Sequence, residues 1–591
     1  MSVIRSAYLT CAVLAGTLVV TMTEALSAIH ALTRTGAIAV MVAIAVTAAV
    51  VIYRNRPQFS WNIGWIDAGL IAGIAAVLGI IAFLAILSPP NSADAMAYHM
   101  PRVLYWAQQR SVAFFATPYL NQIMLQPFAE YFMLHLYLLA GGDRLVNLVQ
   151  WFGCVTSVIG VSLIAMHFGA TRRGQILAAL FCATLPNGIL QASGAKNDYL
   201  LSAWLVAAVW FLLEGESPIL AGLALGLAIG TKATAYIYAP ALLVAVLILT
   251  RWSVRSLAIV AACALTLSLP QFARNMDLSG SPLGFDSAHG DGRFRWRNEN
   301  FGWKQTASNV IRNSTEQLGA RSERWNRWLY TTAVSLHHRM GIDVNDPATT
   351  WLWAEYRAPR NTNQEADAGN RWHVLILAVC FAILPWRSRR LLLYASSLVA
   401  GFVLLCFYLK WQPFMARMFL PLFVLASPVA GILGEQIRPA ILQFALCVFL
   451  LNNARPYLFE NWVRPLKGPR SVLHTSRDEN YFADMTQWNN RETYFQAVDA
   501  LRKLDCPTLG IDINNLQLVY PIQALLRERN PAIRFIYTGV SNPSAKYDRT
   551  ERPSAILCLD CAGDTSRIEH YRQFGAPRQV GKFLLFAPST E

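Results

Sequence analysis

A short segment near residue 94 carries a carboxylate, a phenol and a guanidinium at helical spacing. The positions i, i+4 and i+8 are occupied by Asp94, Tyr98 and Arg102, so on one helix the three side chains would share a face. A carboxylate can take a proton from a hydroxyl group, and a guanidinium can hold an anion. His99 flanks this face, and Pro101 should kink the helix. We therefore treat the segment as a candidate active site, although Tyr98 and His99 could equally serve only to pack the helix.

Four further charged residues lie where apolar stretches end or break: Glu130, Asp198, Lys232 and Arg417. Asp198 is a second candidate catalytic carboxylate, and Glu130 a candidate substrate-binding group. Lys232 and Arg417, like Arg102, are candidates for holding a negatively charged group.

These residues also have purely structural interpretations. Asp94 could satisfy free N–H groups at a helix N-terminus. Asp198 could simply pair with Lys196 in a hydrated loop, and Glu130 could be a solvated residue of an interfacial helix. Arg417 could only mark the end of a membrane span.

The composition is that of a membrane protein. Hydrophobic residues make up 54% of the 591 residues and charged residues only 14%, well below the roughly 25% of soluble domains. Stretches of about 20 apolar residues, enough to cross a bilayer, recur from the N-terminus to about residue 455. The formal charge of +15 does not form one continuous basic patch, which argues against nucleic acid as a partner.

The hydropathy pattern predicts about thirteen spans, near residues 8–29, 36–53, 65–88, 144–166, 174–192, 198–214, 217–231, 233–250, 255–272, 372–386, 391–409, 416–435 and 438–455. An odd number puts the two ends of the chain on opposite sides of the membrane. If the N-terminus is cytoplasmic, most loop arginines are inside: Arg5, Arg54, Arg56, Arg172, Arg173, Arg251, Arg255, Arg387, Arg389, Arg390 and Arg438. The short outer loops then hold only Arg34, Lys196, Lys232 and Lys410. The positive-inside rule thus predicts an external C-terminal domain.

Residues 217–250 could form one long helix or two short ones that meet at Lys232. A single span would move the basic residues after it to the outside and abolish the charge bias, so we predict two helices. Helices of about 15 residues reach only about 22 Å. Lys232 would then lie below the outer surface, in protein or a wet cavity, although it could instead snorkel to the interface.

We divide the chain into three parts. Residues 1–60 form two extra N-terminal helices, and residues 61–456 form a membrane domain with two long outer loops, 89–143 and 273–371. Residues 457–591 form a small α/β domain, for which the sequence predicts helices near 492–504 and 520–528. The predicted strands are Thr508–Ile513, Ile533–Tyr537, Ala555–Leu559 and Phe583–Ala587.

The cysteines give little sign of a metal site. Of the ten cysteines, seven fall inside apolar spans, where a thiol behaves as a small hydrophobe. Cys558 and Cys561 have the spacing of a redox or metal pair, but no second such pair exists in the sequence. We expect a local disulfide or two free thiols.

Several segments together resemble the dolichyl-phosphate-mannose protein mannosyltransferase-like family of membrane glycosyltransferases, which includes aminoarabinose transferases of the GT-C fold. The resemblance covers about residues 60–455 and rests on these segments: Pro89–Arg102, Gln126–Tyr131, Lys196–Asp198, Arg274–Asn275 and Gly280–Gly284. It implies a polytopic α-helical membrane protein with a GT-C-type bundle in a bacterial inner membrane, whereas the periplasmic position of the C-terminal domain is predicted from the charge bias.

The resemblance also implies a reaction. In that family an aspartate of the first long outer loop serves catalysis, a second outer acidic residue lies near the active site, and the donor is a lipid-linked sugar phosphate. Asp94 and Asp198 match those positions. The first loop has no clear DxD motif, so no cofactor is expected with confidence and a divalent metal is left open.

We therefore interpret the chain as an inverting glycosyltransferase that moves a sugar from a polyprenyl-phosphate donor to a hydroxyl acceptor on a glycan, lipid or protein. The main alternative is a lipid-linked sugar flippase or other envelope glycan transporter, for which internal repeats or paired broken helices are the usual sign. In a third interpretation the C-terminal domain does the work and the membrane part is only an anchor.

Overall fold

We describe a computed structural model that covers residues 2–55, 63–250, 252–484, 490–504, 506–513, 518–549 and 551–588. The predicted domain boundary near residue 60 lies outside these ranges, as do Arg56 and Arg251. The membrane part is built from helices at α1 Ser2–Ala28, α2 Arg34–Asn55, α3 Trp65–Leu87, α4 Met100–Gln109, α5 Asn121–Met124, α6 Phe128–Ala140, α7 Leu148–His167, α8 Arg172–Ala183, α9 Pro186–Ala192, α10 Asp198–Glu214, α11 Pro218–Thr231, α12 Ala235–Thr250, α13 Val254–Ser279, α14 Trp303–Gln317, α15 Glu323–Met340, α16 Arg371–Ile383, α17 Arg389–Tyr408, α18 Leu420–Gly434 and α19 Ala440–Phe459.

Each predicted span coincides with one of these helices, or with a pair. Among the described residues, seven helices are long and apolar enough to cross a membrane, or eight if α8 and α9 form one bent span. These two helices meet at an angle of 67°, because Pro186 begins the second helix and cannot continue the first. Four shorter apolar helices, among them α11 and α12, accompany the long ones. The polytopic helical architecture is thus confirmed.

The chain reverses direction between α11 and α12, as the charge pattern predicted. A Cβ at Gly222 would touch Val260, and one at Gly226 would touch Ala264, so α11 and α13 run parallel. The helix between them must therefore run the opposite way. By the same offset Lys232 lies level with Pro270, and α13 continues for about 14 Å beyond that level. Lys232 is thus at the tip of a short hairpin and below the end of its neighbour.

Opposite ends of the helical bundle differ in charge and in what they contact. At one end Arg5 hydrogen-bonds Gln175 at 2.7 Å, and Arg173 pairs with Asp67 at 2.5 Å. At the other end the C-terminal domain contacts the first long loop, where Tyr481 donates to Asp143 at 2.6 Å. The N-terminal helix therefore begins at the basic end, away from the C-terminal domain.

The C-terminal domain is a five-stranded mixed sheet with helices, in the order β2-β1-β3-β5-β4. Its strands are β1 Thr508–Asp512, β2 Arg534–Tyr537, β3 Ala555–Cys558, β4 Pro577–Val580 and β5 Phe583–Phe586. The first three strands are parallel, and the last two pair antiparallel. Its helices are α20 Arg477–Asn480, α21 Arg491–Arg502, α22 Tyr520–Arg529 and α23 Thr565–Tyr571. The small α/β domain and its four predicted strands are confirmed, and β4 is an additional edge strand.

The segment that holds the candidate site residues Asp94, Tyr98 and His99 is not a regular α-helix. Residues Ala95–His99 form a π-helical turn that leads into α4, with Pro101 in the first turn of that helix. A π-turn holds more residues than an α-turn and shifts the register of the side chains on its two sides. The expectation that Asp94, Tyr98 and Arg102 share one face is therefore wrong for Arg102, as its contacts show.

Candidate functional site

A buried ion pair joins the first long loop to the start of α18. Arg417, in the 3₁₀ turn Met415–Phe419 that precedes α18, donates through Nη1 to Oδ2 of Asp94. Both side chains are largely covered, with 12% and 25% exposure for Arg417 and Asp94. Burial tends to raise the pKa of Asp94, but the charges of Arg417, Lys196 and His99 outweigh it and hold this pKa well below its usual range. Asp94 is thus a carboxylate at neutral pH.

A second buried pair lies beside the first. The Lys232 ammonium at the hairpin tip donates to Oδ1 of Asp198, the first residue of α10, at 2.5 Å. Asn197 donates to the backbone oxygen of Thr231 at 3.2 Å and so fixes the tip against α10. Arg417 also acts electrostatically on Asp198. The two pairs therefore form one cluster of two carboxylates and two cations.

Two atoms of this cluster have no hydrogen-bond partner among the described residues. They are Oδ2 of Asp198 and Nε of Arg417, and both are buried. A buried polar atom without a partner costs about 1–3 kcal/mol, and a ligand that hydrogen-bonds to these two atoms would remove that cost. One is an acceptor and the other a donor. Together they suit a ligand that offers both hydroxyl and anionic oxygen groups.

A third group of charged residues, which the sequence did not predict, lies beside the cluster. Glu365, from the second long loop, is buried and contacts both Lys196 and Arg464. Arg464 also donates to Asn91 at 2.9 Å and to Ser193 at 3.0 Å. Lys196 therefore pairs with Glu365, and its pairing with Asp198, the structural alternative suggested by the sequence, does not occur.

Glu365 and Arg464 carried no signal that could have singled them out. Glu365 stands in a long loop rich in charged residues, and Arg464 follows the last span in the segment assigned to the C-terminal domain. Burial raises the pKa of Glu365, but the Arg464 and Lys196 charges more than offset this and lower it overall. Only the tertiary structure brings the three residues together.

The remaining predicted residues form a second group on the other side of the π-turn. Glu130 accepts from His99 at 2.8 Å and from Arg102 at 3.0 Å. At 1% exposure Glu130 is not a solvated residue of an interfacial helix. Tyr98 packs against His99, with ring centroids 4.2 Å apart and ring planes tilted by 39°, and the charges of Asp94 and Arg417 act on its hydroxyl group. Tyr98 is thus the residue that bridges the two groups.

Arg102 organises the first long loop. It is fully buried, and it donates to the backbone oxygens of Gln122 at 2.5 Å and Leu125 at 2.7 Å. Further bonds to Asn121 and Glu130 occupy the rest of the guanidinium. A guanidinium has five donors in a fixed fork, and these are committed to the protein. Its position favours a structural task over the anion binding that the sequence suggested.

Cys558 and Cys561 form a disulfide bond. Within the described ranges, they and Asp512 are the one group of three potential metal ligands close enough to share an ion. Since both sulfur atoms are used in the disulfide, this group does not offer a thiolate site.

The helical bundle and the C-terminal sheet together have the GT-C membrane fold. The fold is similar to that of ArnT from Cupriavidus metallidurans. Its structure bound to undecaprenyl phosphate superposes with a TM-score of 0.50 at 13% identity over 88% of this chain and 98% of that chain. The apo structure gives 0.52 at 12% identity over 89% and 100%. No protein-family model matches the sequence, and no curated protein matches it. The predicted fold is confirmed.

Proposed function

We propose that the chain is a membrane glycosyltransferase that moves a sugar from a polyprenyl-phosphate donor to a hydroxyl group of an acceptor, with inversion at the anomeric carbon. The observation that carries this proposal is the cluster formed by Asp94, Arg417, Asp198 and Lys232. It lies in a fold shared with a protein solved in complex with undecaprenyl phosphate. The cluster places carboxylates next to cations. The reaction needs both, a carboxylate as the base and cations to hold the phosphate.

The reaction needs a base and an anion site at the same place. Asp94 accepts the proton of the acceptor hydroxyl, whose oxygen forms a new bond to the anomeric carbon. The bond between that carbon and the phosphate oxygen breaks, and the electron pair leaves with the polyprenyl phosphate. Arg417 and Lys232 stabilise the charge that grows on the departing phosphate. Asp198 holds Lys232 in place and offers its free oxygen to a sugar hydroxyl.

The Asp94–Arg417 pair couples donor binding to base strength. While paired with Arg417, Asp94 is a weak base, since the adjacent cation stabilises its ionised form. A donor phosphate competes for the same guanidinium and draws its charge away from the carboxylate. Asp94 then becomes more basic only when the donor is bound, which limits unproductive proton transfer in the empty site.

We place this chemistry at the periplasmic face of a bacterial inner membrane, with a cytoplasmic N-terminus and a periplasmic C-terminal domain. In support, Arg5 and Arg173 lie at the end of the bundle opposite the C-terminal domain. The donor would reach the cluster from the membrane, and the acceptor would enter from the periplasmic side.

The decisive experiment is mass spectrometry of envelope glycolipids and glycoproteins from cells with the protein, without it, and with its Asp94→Asn variant. A transferase predicts one missing sugar on the acceptor in the last two strains, together with unused sugar-loaded polyprenyl phosphate. A flippase predicts that the sugar-loaded carrier is trapped in the inner leaflet, and that Asp94→Asn has no effect on transfer when donor is supplied outside. Identical glycans in all three strains contradict both.

A further inference from the structure

A second cleft lies away from the charged cluster, between the second long loop and the C-terminal domain. It has a volume of about 1080 Å³, which is within or slightly above the usual range of small-ligand sites. One wall comes from the loop, with Phe294 and Trp353, and the other from the sheet, with Asp512, Gly539 and Arg567. Neither wall contains any residue of the proposed reaction centre.

The sheet wall contains the edge of the sheet at which parallel sheets most often bind ligands. After β1 the chain crosses to β2 on one side of the sheet, whereas after β3 it continues toward β5 and β4 on the other side. The gap between β1 and β3 is therefore a topological switch point, and ligands bind outside the carboxyl ends of the strands there. Asp512, the last residue of β1, stands opposite Cys558 at this gap.

The loop wall presents two aromatic rings in costly backbone conformations. Phe294 and Trp353 have positive φ values of 53° and 64°, which bulky residues rarely adopt. Their rings lie edge to face with centroids 4.7 Å apart, and Trp353 is 77% exposed. Such strain persists only where the surrounding structure imposes it, and it is concentrated at binding sites. The loop thus holds an apolar indole surface open to the cleft.

The polar groups of the sheet wall are fixed rather than free. Arg567 donates to both carboxylate oxygens of Asp512, at 2.6 and 3.1 Å, and Tyr571 donates to Asp512 at 2.6 Å. Asp512 is only 3% exposed, so the part of this pair that a ligand can reach is the Arg567 guanidinium, whose side chain is 23% exposed. Arg567 also contacts Asp560 at 2.9 Å, so carboxylates outnumber the cation and a strongly anionic ligand is not favoured. The guanidinium favours a ligand that accepts hydrogen bonds through hydroxyl groups.

A line of aromatic rings connects this cleft to the reaction centre. From Tyr98, beside Asp94, ring centroids are 6.2 Å apart to Tyr119, 5.9 Å from there to His289 and 5.6 Å onward to Phe294. Packed aromatic rings therefore connect the cleft to the segment that holds Asp94. A long acceptor could contact both places.

We propose that this cleft binds a carbohydrate segment of the acceptor at a distance from its reacting hydroxyl group. The inference rests on the proposed function, because it identifies the acceptor as one that carries an oligosaccharide. A sugar ring has an apolar C–H face that fits the exposed Trp353 indole, and hydroxyl oxygens that can accept from the Arg567 guanidinium. No covalent step takes place in the cleft.

The test is direct binding, independent of transfer. Full-length protein in detergent micelles is applied to an array of defined neutral and acidic oligosaccharides, and the strongest ligand is titrated by microscale thermophoresis. We expect Trp353→Ala to weaken its affinity by about tenfold or more. Trp303→Ala is the matched control, because Trp303 is also exposed, at 70%, and lies in the same loop but outside the cleft. Its affinity should equal that of the wild type.

The Asp94→Asn variant separates this proposal from the proposed function. If it binds the oligosaccharide normally, the cleft is independent of the reaction centre, as expected, whether or not transfer is later demonstrated. Three outcomes overturn the proposal: no oligosaccharide binds up to millimolar concentration, the two tryptophan variants lose affinity equally, or Trp353→Ala binds as well as the wild type. If the wild-type protein binds the oligosaccharide but shows no transfer, the result would count only against the proposed function.

Discussion

At the scale of single residues, the site depends on charges that the fold forces together. Asp94 and Arg417 are 323 positions apart in the chain, and each would be costly to bury without the other, since an unpaired buried charge destabilises a protein by about 3–5 kcal/mol. The same pairing that makes burial tolerable keeps Asp94 ionised. A substitution here that removes one charge therefore needs a measurement of folding, such as the melting temperature in detergent, beside the measurement of activity.

Asp94→Asn tests the proposed base. The amide has the same shape and can still accept a hydrogen bond from Arg417, but it cannot take a proton. We expect transfer to fall by about 10²- to 10⁴-fold, with a modest loss of stability because Arg417 stays buried without its counter-charge. Turnover with purified donor and acceptor is the measurement, and Asp198→Asn is the comparison, expected to lose less if Asp198 only positions Lys232 and the substrate. Near wild-type turnover of the Asp94 variant would exclude it as the base.

Lys232 is best tested together with its partner. Lys232→Met alone would leave Asp198 as a buried, unpaired carboxylate, so a fall in activity could reflect misfolding. In the double variant Lys232→Met/Asp198→Asn the charges are removed together. We expect it to bind undecaprenyl phosphate about 10- to 150-fold more weakly than Asp198→Asn alone, which corresponds to a charged hydrogen bond worth about 1.5–3 kcal/mol. Equal affinity of the two variants would show that Lys232 does not contact the donor.

At the scale of elements, the hairpin of α11 and α12 positions Lys232, and its tip is tightly packed. A Cβ at Gly230 would lie 2.0 Å from the buried Phe128 ring of α6. Position 230 therefore accepts only glycine in this packing. The hairpin tip packs against α6, and α6 also carries Glu130. Helix α6 therefore positions both Lys232 and Glu130.

Gly230→Ala should displace this tip. Overpacking of this kind costs about 1–3 kcal/mol, and we expect a lower melting temperature together with weaker donor binding. Phe128→Leu in the same chain removes ring atoms and should restore part of both losses. Gly79→Ala is the control, because no atom lies within 4 Å of a Cβ at that position. If Gly230→Ala behaves like Gly79→Ala, the hairpin tip is not packed as described.

The sequence predicted elements better than it predicted contacts. Apolar length and the charge bias were enough for the spans and for the break at Lys232, because lipid imposes those constraints on every helix. The pairing of Lys196 with Glu365, and the π-turn that moves Arg102 toward Glu130, depend on tertiary packing that leaves no periodic trace. The edge strand β4 was missed for a similar reason: it starts with a proline, and its exposed residues show no alternation.

At the scale of the whole molecule, the C-terminal segment is part of the membrane site and not an appendage to it. Arg464, which follows the last helix of the bundle, reaches Glu365 and Asn91 in the interior. Asp143 of the first long loop accepts from Arg477, Tyr481 and Tyr520. The boundary that we predicted at residue 456 therefore separates secondary structures but not packing units.

Arg464→Met should destabilise the membrane domain itself. It would leave Asn91 and Ser193 without a buried donor, while Glu365 keeps its pairing with Lys196, and we expect a loss of about 1–3 kcal/mol for each buried group left without a partner, measured as a lower melting temperature in detergent. The double variant Arg464→Met/Glu365→Gln would in addition leave Lys196 buried without its counter-charge, so its melting temperature should be lower still. Lys467→Met, in the same segment, is the control, since Lys467 is exposed and lies over the Phe459 ring. A melting temperature unchanged by Arg464→Met would show that the C-terminal segment does not support the site.

The orientation of the molecule in the membrane follows from the same separation of its two ends. Arg5 and Arg173 lie at the basic end, and the C-terminal domain lies at the other, so the positive-inside rule predicts that the basic end faces the cytoplasm. A reporter that is active only outside should therefore be active when fused after Glu591 and inactive after Arg173 or Arg255. The fusion after Arg255 is the most informative, because the hairpin of α11 and α12 decides on which side it emerges. With one long span in place of two helices, Arg255 would lie outside and Lys232 would be inside a continuous transmembrane helix. External activity at Arg255 would therefore contradict both the topology and the donor site built on Lys232, whereas activity at Glu591 alone supports them together.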